Sequence, residues 1–404
     1  MTLSMPESYA AHLVPHSELR ARVEQFQHAM RIAMLDGALI THKTGLYYLA
    51  GTIQPVQFFV PTEGDPLLLA RRNDERIRLE SPWRLEPLRS MKTLSDSLKS
   101  AAHGSLAKLG LELDVMPVLT FRRYEKALPD AQWLDVGGML RAQRSIKTVW
   151  EIEQLRAIQP LAEAMLAAIP QVLAAGCTEV EVAGRLEALA RAQGHQGRSW
   201  LRAYNMDMYW GHLIAGPSGS VGSFFDSPNG GWGLNPAKPD GPGLRVIEPG
   251  MPVLVDYVAA RGGYVLDQTR TAVIGTLPAE LQDAYAATVA VQEAVVAASR
   301  PGVFGSELYD LALEVAARAG IADGFGGRGE NQARFVGHGF GMEIDELPLL
   351  AAGWGEPLQP GMVFALEPKY VHETLGIVGI ENSWLVTEEG VERLTPAGDE
   401  VIQI

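Results

Sequence analysis

Short apolar runs alternate with amphipathic stretches along the first part of the chain. Residues 36–51 (DGALITHKTGLYYLAG) and 65–72 (DPLLLARR) have the length, and the Gly or charged ends, that are typical of buried strands. Residues 93–110 (TLSDSLKSAAHGSLAKLG) have the pattern of a surface helix. This alternation predicts a small α/β domain over residues 1–145, in which reactive side chains are sparse and scattered.

From residue 146 onward the amphipathic stretches lengthen, which predicts a second domain over residues 146–404. Thr178 and Glu181 have the spacing of a capping box at the start of a helix. The apolar residues of that helix lie on one face and are Val182, Leu186 and Leu189. A second helix is predicted on the same grounds from Leu281, Tyr285, Val289 and Val296.

The segment between these helices, residues 199–245, is rich in Gly, Pro and aromatic residues. A loop of this length within a compact domain is usually either functional or disordered. The aromatic side chains favour an ordered lining over a mobile linker. They are Tyr209, Trp210, Phe224, Phe225 and Trp232.

An approximate internal repeat is the most informative feature of the second domain. Residues 248–275 and 359–390 each begin with one polar residue, which is followed by Pro-Gly-Met. Six residues after that glycine stands an acid, Asp256 in one copy and Glu367 in the other. Each copy then passes through a turn into a second strand that carries another acid: Asp267 and Glu381. The repeat predicts two hairpins that each deliver a pair of carboxylates.

These acids stand where a core strand would normally be apolar. Strand alternation places Asp256 on one face with residues 252 and 254, and the apolar neighbours indicate that it points into a cleft. Burial of four carboxylates together without a cation would be strongly unfavourable. Either the hairpins turn these acids to solvent, or the acids surround a positive charge. The recurrence of the pairs favours the second alternative.

His338 can supply a nitrogen donor to the same group. It lies in residues 337–348 (GHGFGMEIDELP), where glycine neighbours allow a close approach of backbone or substrate. Alone, such a histidine would more often be a turn residue, but beside four acids it is better explained as a metal ligand. One nitrogen, carboxylate oxygens and no sulfur predict two divalent ions, with Mn²⁺ first and Fe²⁺, Co²⁺ or Zn²⁺ as alternatives. Two ions roughly 3.5–4 Å apart would hold a bridging hydroxide as nucleophile and polarise a substrate carbonyl.

Composition excludes several other classes of function. The 34 basic and 48 acidic residues give a net charge of −14, which argues against nucleic acid or a membrane surface as a partner. The single cysteine, Cys177, excludes an intrachain disulfide and a cysteine-rich zinc site. The first residues lack a signal-peptide pattern, and no apolar stretch approaches the roughly 20 residues of a membrane span. We therefore expect a soluble, cytoplasmic protein.

In the order and spacing of the five candidate ligands, the sequence resembles the pita-bread metallopeptidases, which include creatinase, prolidase, aminopeptidase P and methionine aminopeptidase. The matching residues are Asp256 in VLVDY, Asp267 in GYVLDQTRT, His338 in GHGFG, Glu367 in ALEP and Glu381 in GIENSWLVTEEG. Residues 36–51 are also similar to the N-terminal domain of creatinase, prolidase and aminopeptidase P, which makes methionine aminopeptidase the poorer match. Residues 145–158 (SIKTVWEIEQLRAI) are similar to the beginning of their catalytic domain.

The resemblance implies an α+β protein with a C-terminal pita-bread fold and a smaller N-terminal α/β domain of the creatinase type. It also implies a homodimer with Xaa-Pro peptidase activity.

Several residues depart from the family pattern on the substrate side. Prolidase-like members usually have a histidine seven residues after the ligand histidine and often another four residues before it, where this chain has Asp345 and Arg334. A further histidine is expected after a Gly-Asn or Gly-Ser turn, where this chain has Ser223 and Phe224. His212, upstream of that turn, is a candidate substitute.

A last departure concerns the arginine usually found two residues before the final ligand, where this chain has Gly379. Lys369 could return the missing cation. Lys369 and Arg334 are expected to bind a carboxylate end of the substrate, unless they pair with acids of residues 343–346. Asp345 is expected to transfer protons or hold a substrate amine, unless it is a solvated loop acid.

Three functions are consistent with these residues. The first is a dinuclear metal-dependent hydrolase that cleaves peptide bonds, above all in Xaa-Pro dipeptides or short peptides. The second is a hydrolase or lyase acting on a C–N or C–X bond of a small, carboxylate-bearing molecule, because the substrate side has been rebuilt. The third is a binding protein without activity, although such proteins commonly lose ligands that this chain retains.

Overall fold

The structure, a computed structural model, describes every residue except the first four, His103, Met208, Tyr209 and Ala397. Tyr209, one of the predicted loop aromatics, therefore lies outside the described residues. Within the described part of the chain, no helix combines the length and apolar character needed to cross a membrane.

The chain divides into two compact units. The first contains Met1–Gln143 with Arg202–Tyr204, and the second contains Arg144–Leu201 with Asn205–Ile404. The α-helices are α1 Glu7–Ala10, α2 His16–Ile32, α3 Lys43–Ala50, α4 Asp74–Glu80, α5 Leu94–Ala101, α6 Val118–Ala127, α7 Gly137–Ser145, α8 Val149–Arg156, α9 Gln159–Val172, α10 Glu179–Ala192, α11 Ala279–Ala298 and α12 Gly305–Arg318.

The strands are β1 Gly37–Ile40, β2 Val56–Pro61, β3 Leu67–Ala70, β4 Arg84–Pro87, β5 Lys108–Leu111, β6 Gln132–Asp135, β7 Gly211–Ala215, β8 Val253–Tyr257, β9 Ala259–Arg261, β10 Tyr264–Leu266, β11 Thr269–Val273, β12 Phe335–Gly339, β13 Glu346–Ala351, β14 Val363–Leu366, β15 Lys369–His372, β16 Gly376–Gly379, β17 Asn382–Val386, β18 Val391–Arg393 and β19 Ile402–Gln403. Short 3-10 helices are Met91–Thr93, Gly216–Ser220 and Gly329–Asn331.

The first unit is built on a mixed sheet with the strand order β4-β3-β2-β1-β5-β6. β1, β2 and β3 pair antiparallel, whereas β4, β5 and β6 add parallel pairings toward the edges. Side chains from the sheet and from α5 and α6 share one core, which includes Leu39, Phe59, Leu98 and Tyr124. The unit is therefore an α/β structure, as expected.

Two strand and helix predictions in this unit are wrong in part. The predicted strand 36–51 is a strand only over β1, and residues 43–50 form α3, which ends at Gly51 with a φ of 74°. The predicted helix 93–110 ends at Ala101 and its last residues belong to β5. Both errors have one cause, because short apolar runs cannot be assigned to helix or strand by periodicity alone.

The repeat in the second unit forms two hairpins of the same design, as predicted. In one, β8 pairs antiparallel with β11 at the base, and β9 pairs with β10 at the tip. In the other, β14 pairs with β17 at the base, and β15 pairs with β16 at the tip. The acids lie where base and tip meet, so each hairpin carries its two carboxylates at its middle.

Helices cover the apolar sides of these strands. The predicted capping box of Thr178 and Glu181 is present at the start of α10, and the second predicted helix is α11. Both α11 and α12 share a buried core with strands of the sheet β13-β12-β14-β17-β18. This packing leaves the middle of the hairpins for polar side chains.

Candidate metal centre

A row of polar side chains crosses the strands β7, β8 and β11. His212 on β7 lies opposite Asp256 on β8, and Asp256 lies opposite Thr269 on β11. Directly opposite residues of an antiparallel pair project from the same face of a sheet. Thr269 in turn forms an isolated bridge with Glu381. All four residues are buried, so these acids do not face solvent.

His338 on β12 faces the same acids. Its Nε2 lies 3.4 Å from Oε1 of Glu367, 3.9 Å from Oδ2 of Asp267 and 4.0 Å from Oε1 of Glu381. The carboxylate of Asp256 joins the group through Lys369, whose ammonium contacts Asp256 and Glu367. The structure thus brings together all of the side chains that the sequence offers as ligands.

The glycines beside His338 are explained by the packing of β12 between β13 and β14. A Cβ on Gly337 would lie 2.4 Å from the carbonyl oxygen of Ala365, and a Cβ on Gly339 would lie 2.1 Å from that of Leu347. A methyl group at either position would force the strands apart. Gly337 and Gly339 therefore permit the close strand approach that holds the imidazole against the acids.

Lys369 is a cation inside this group of acids. Its Nζ donates hydrogen bonds to Oε2 of Glu367 at 2.6 Å, to Oδ2 of Asp256 at 2.9 Å and to Oε2 of Glu381 at 3.5 Å. The side chain has no exposed surface. Burial alone would lower the pKa of Lys369, but the charges of these carboxylates raise the pKa well above its ordinary value. The side chain is therefore an ammonium.

Gly379 makes room for this lysine. The two residues lie opposite each other on β15 and β16. A Cβ on Gly379 would lie 2.6 Å from Cγ of Lys369 and 2.7 Å from its Cα. The glycine and the lysine therefore form one structural feature, although the sequence shows them only as separate departures from the family pattern.

The electrostatics of the group reflect an excess of buried negative charge. Burial and the neighbouring carboxylates raise the pKa of Asp267 to about 7, and they raise that of Glu381 well above its ordinary value. Burial opposes the charged form of Glu367, but Lys369 and His338 outweigh it and lower its pKa to about 2. Burial also opposes protonation of His338, yet the acids raise its pKa to about 10. The group therefore retains protons that a divalent ion would displace.

The donor atoms on the imidazole side fit a divalent ion. Ligand atoms of Asp267, His338 and Glu381 lie within 4.8 Å of one another, and Oε1 of Glu367 faces the same imidazole nitrogen. One nitrogen with carboxylate oxygens is a donor set that suits Mn²⁺, Fe²⁺, Co²⁺ and Zn²⁺. On the opposite side of the acids, the carboxylate oxygens face an ammonium.

Uncharged side chains orient the acids. The hydroxyl of Thr269 donates to Oε2 of Glu381 at 2.6 Å. The amide of Asn229, which is buried in the long loop, donates to Oδ2 of Asp256. Arg270 donates to backbone carbonyls and to the side-chain oxygen of Asn382, so its role is structural. Sequence analysis missed Asn229, because SPNGG has the composition of an ordinary turn.

A buried ion cluster fixes the turn that follows β12. Arg144 lies 2.8 Å from Glu343 and 2.5 Å from Glu346, and Lys147 lies 2.9 Å from Glu346. Glu346 also accepts hydrogen bonds from the backbone N–H groups of residues 342 and 343. Asp345 stands next to this cluster in the chain, half-buried in the bend before β13.

The two predicted substrate cations have different positions. Arg334 is exposed immediately before β12. Lys369 is directed at the candidate ligands, so its alternative pairing with the acids of residues 343–346 is wrong. Two of those acids, Glu343 and Glu346, pair with Arg144 and Lys147 instead.

The long loop places only some of its aromatic side chains inward. His212 is buried, with Nε2 3.6 Å from Asp240 and its ring edge-on to Phe225, and its Nδ1 has no hydrogen-bond partner among the described residues. Trp210 is buried and stacks on His195. Phe224 and Trp232 are exposed. The predicted aromatic lining is therefore confirmed for Trp210 and Phe225 and wrong for the two exposed residues.

Two protein-family models match the chain. The model described as Metallopeptidase family M24 matches residues 153–388, and the model of the Creatinase/Prolidase N-terminal domain matches residues 22–146. These matches confirm the expected α+β fold class, a pita-bread domain preceded by a smaller domain of the creatinase type.

Proteins similar over nearly the full chain include peptidases. The chain is 28% identical over 375 residues to the Bacillus subtilis protein named uncharacterized peptidase YqhT, which covers 91% of this chain and 96% of the relative. It is 26% identical over 388 residues to the Xaa-Pro dipeptidase of Pyrococcus furiosus, covering 95% of this chain and 100% of that protein. The solved Xaa-Pro dipeptidase from Bacillus anthracis has the same fold, with a TM-score of 0.82 and 24% identity over 96% of this chain and 100% of that chain.

Proposed function

The chain belongs to metallopeptidase family M24, and on this premise we propose that it hydrolyses Xaa-Pro dipeptides or other short peptides at a divalent metal centre. One observation carries the proposal: the buried group in which an imidazole and several carboxylates converge from two hairpins and β12. A fold retained by a protein without activity would not need so many charges in its interior. The names of relatives support the peptide substrate.

We propose that the metal ligands come from Asp256, Asp267, His338, Glu367 and Glu381, the set that the family resemblance implies. The sequence predicts two ions, with Mn²⁺ first and Co²⁺, Fe²⁺ or Zn²⁺ as alternatives, since oxygen donors dominate. A bound divalent ion supplies Lewis acidity toward a carbonyl oxygen and lowers the pKa of water.

The other residues of the centre bind, orient and transfer protons. Thr269 and Asn229 hold the carboxylates of Glu381 and Asp256 in fixed orientations through their hydrogen bonds. Nδ1 of His212 has no hydrogen-bond partner among the described residues, so it can accept a hydrogen bond from a substrate.

Two polar residues, Asp345 and Arg334, have tasks on the substrate side, and Lys369 does not. Asp345 transfers a proton to the leaving amine or holds the substrate amine. Arg334 binds the carboxylate end of the peptide, because a guanidinium can donate two parallel hydrogen bonds to a carboxylate. Lys369 acts on the acids that it contacts rather than on the substrate carboxylate.

The wider organisation follows the family resemblance. Residues 1–145 form the creatinase-type domain, residues 146–404 form the catalytic domain, and two chains form a homodimer. We place the protein in the cytoplasm, because a chain with one cysteine cannot form an intrachain disulfide and disulfides are rare in that compartment.

A second candidate function is a hydrolase or lyase acting on a C–N or C–X bond of a small carboxylate-bearing molecule. The observation that favours it is Lys369, a buried ammonium among the acids, in a chain whose substrate-side histidines are replaced by Asp345 and Arg334. Such changes alter which substrate the centre accepts.

Hydrolysis assays separate the two functions. Metal-depleted protein is titrated with Mn²⁺ and tested on Ala-Pro, Met-Pro, Leu-Gly and a tripeptide that contains proline. We expect Mn²⁺-dependent cleavage of the Xaa-Pro peptides that is lost in Asp267→Ala and retained in Asp283→Ala, a change at an exposed acid of α11. Metal binding without cleavage of any peptide would transfer support to the small-molecule function, and cleavage without metal would refute both.

A further inference from the structure

We propose that Lys369 is a built-in cation that takes the place of one of the two divalent ions, so that the centre binds a single divalent ion. This inference rests on the proposed function, because it assumes that the imidazole side of the group is a metal site. It concerns how many ions the site binds, which differs from the pair that the family resemblance implies.

Two of the acids connect two opposite cationic positions. Glu367 directs Oε2 to the ammonium of Lys369 and Oε1 to Nε2 of His338. Glu381 does the same, with Oε2 toward the ammonium and Oε1 toward the imidazole. In a pair of ions, carboxylates would bridge one ion to the other. Here they bridge the imidazole side to an ammonium.

The ammonium occupies the space that a second ion would need. Asp256 lies on the lysine side of the group, and its Oδ2 accepts a hydrogen bond from Nζ of Lys369 at 2.9 Å. The oxygen atoms of Asp256, Glu367 and Glu381 that converge on Nζ are among those that a second ion would need. A divalent ion binds such oxygens at roughly 2.0–2.2 Å. It could not reach them without displacing the ammonium.

The lysine has little room to move away. Its side chain is fully buried, and its stem passes over Gly379, where a Cβ would lie 2.6 Å from Cγ of Lys369. Its backbone carbonyl accepts a hydrogen bond from the N–H of Gly326. The small residue on β16 and the long residue on β15 therefore fit each other, which a lysine directed at solvent would not require.

Lys369 also supplies part of the positive charge that the acids require. The group contains four carboxylates, so two divalent ions alone would balance them. In this buried site the ammonium offsets one of these four negative charges, so the bound ions have less charge to balance. Uncompensated charge of either sign is costly there, and positive charges in contact add repulsion.

Metal stoichiometry tests the inference without reference to activity. The full chain is metal-depleted, saturated with Mn²⁺, and analysed by isothermal titration calorimetry and by elemental analysis after gel filtration. We expect one Mn²⁺ per chain, with the electron paramagnetic resonance spectrum of an isolated ion. Lys369→Ala and Lys369→Met, which remove the ammonium, should bind two ions that are magnetically coupled. Lys369→Arg retains the positive charge and should bind one, as should Lys126→Ala, a change at an exposed lysine of α6.

The outcomes separate this inference from the proposed function. Two ions in the unchanged chain would overturn the inference and leave the proposed metallopeptidase function intact. No ion in the unchanged chain or in any variant would overturn the proposed function and the inference with it. One ion in both the unchanged chain and a folded Lys369→Met variant would also overturn the inference, since the ammonium would then not be what excludes the second ion.

Discussion

Replacement of Glu346 by Gln should cost more stability than most single changes of charge in this protein. The carboxylate is buried and contacts the guanidinium of Arg144, the ammonium of Lys147 and two backbone N–H groups. Burial opposes its ionisation, but the neighbouring cations outweigh burial and lower its pKa from 4.5 to about 2. A difference of that size corresponds to about 3 kcal/mol at neutral pH.

The variant Glu346→Gln keeps the shape of the side chain and removes its charge. Among the described residues, Arg144 then keeps Glu343 as its acidic partner, and loss of one partner from a buried ion pair costs about 3–5 kcal/mol. We expect the free energy of unfolding, measured by urea denaturation and tryptophan fluorescence at pH 7, to fall by about 3–5 kcal/mol. The control Glu392→Gln removes an exposed partner of Arg156 and should cost less than about 1 kcal/mol.

The pH dependence of this difference has a definite sign. The folded pKa of Glu346 lies below the unfolded value, so its contribution is present above about pH 4.5 and is lost as the pH falls toward 2. The difference in unfolding free energy between the unchanged protein and Glu346→Gln should be constant from pH 6 to 8. At pH 3.5 this difference should be smaller by about 1 kcal/mol. A cost no larger than that of the control, or a gap that widens in acid, would refute the reasoning.

Three further changes have definite expected outcomes. His195 is buried against Trp210, and burial lowers its pKa from 6.5 to about 4. Between these pH values the unfolded chain binds a proton that the folded chain does not, so the free energy of unfolding falls as the pH drops from 6.5 to 4. In His195→Gln, the loss of unfolding free energy between pH 7.5 and 5 should be smaller by about 2 kcal/mol. Gly339→Ala should lower the unfolding free energy by about 1–3 kcal/mol, because a Cβ there meets the backbone of β13. Thr269→Val should weaken Mn²⁺ binding about 10- to 100-fold by calorimetry, because Glu381 loses its hydroxyl donor.

Each of these changes has a matched control. His28→Gln on the exposed side of α2 should leave the pH dependence unchanged, and an equal effect of both histidine changes would contradict the assignment to His195. Gly355→Ala introduces a Cβ with no atom within 4 Å and should be nearly neutral. Thr288→Val removes a buried hydroxyl from α11 and should not change Mn²⁺ affinity. Mn²⁺ affinity that is the same in both threonine variants would contradict the role of Thr269.

The sequence predicts the double hairpin well because its signal is local and repeated. The Pro-Gly-Met start, the strand and the acid recur at the same offset in both copies, and the structure forms both hairpins with their acids at the middle. The order of the five candidate ligands along the chain then suffices to name them. A pattern that repeats is less ambiguous than any single run.

Residues that act through distant contacts were not predicted. Asn229 reaches Asp256 from a loop whose sequence indicates only turns, and Arg144 reaches Glu343 and Glu346 across about two hundred positions of sequence. The helix α3 was predicted as part of a strand because the short apolar and aromatic run of residues 46–50 does not distinguish the two structures. Such assignments depend on tertiary packing, which periodicity does not contain.

Lys369 was predicted only in part. The sequence identifies it as a cation near the ligands but assigns it to the substrate, because the direction of a side chain on a short strand is not visible in a pattern. Its fit over Gly379 settles the direction toward the acids.

The most direct test of the metal centre is the anomalous diffraction of crystals of the full chain grown with Mn²⁺. The account predicts an anomalous peak within bonding distance, roughly 2.2 Å, of Nε2 of His338 and of oxygens of Asp267, Glu367 and Glu381. No peak at saturating Mn²⁺, or a peak bound by other residues while these acids keep only protein partners, would contradict the account.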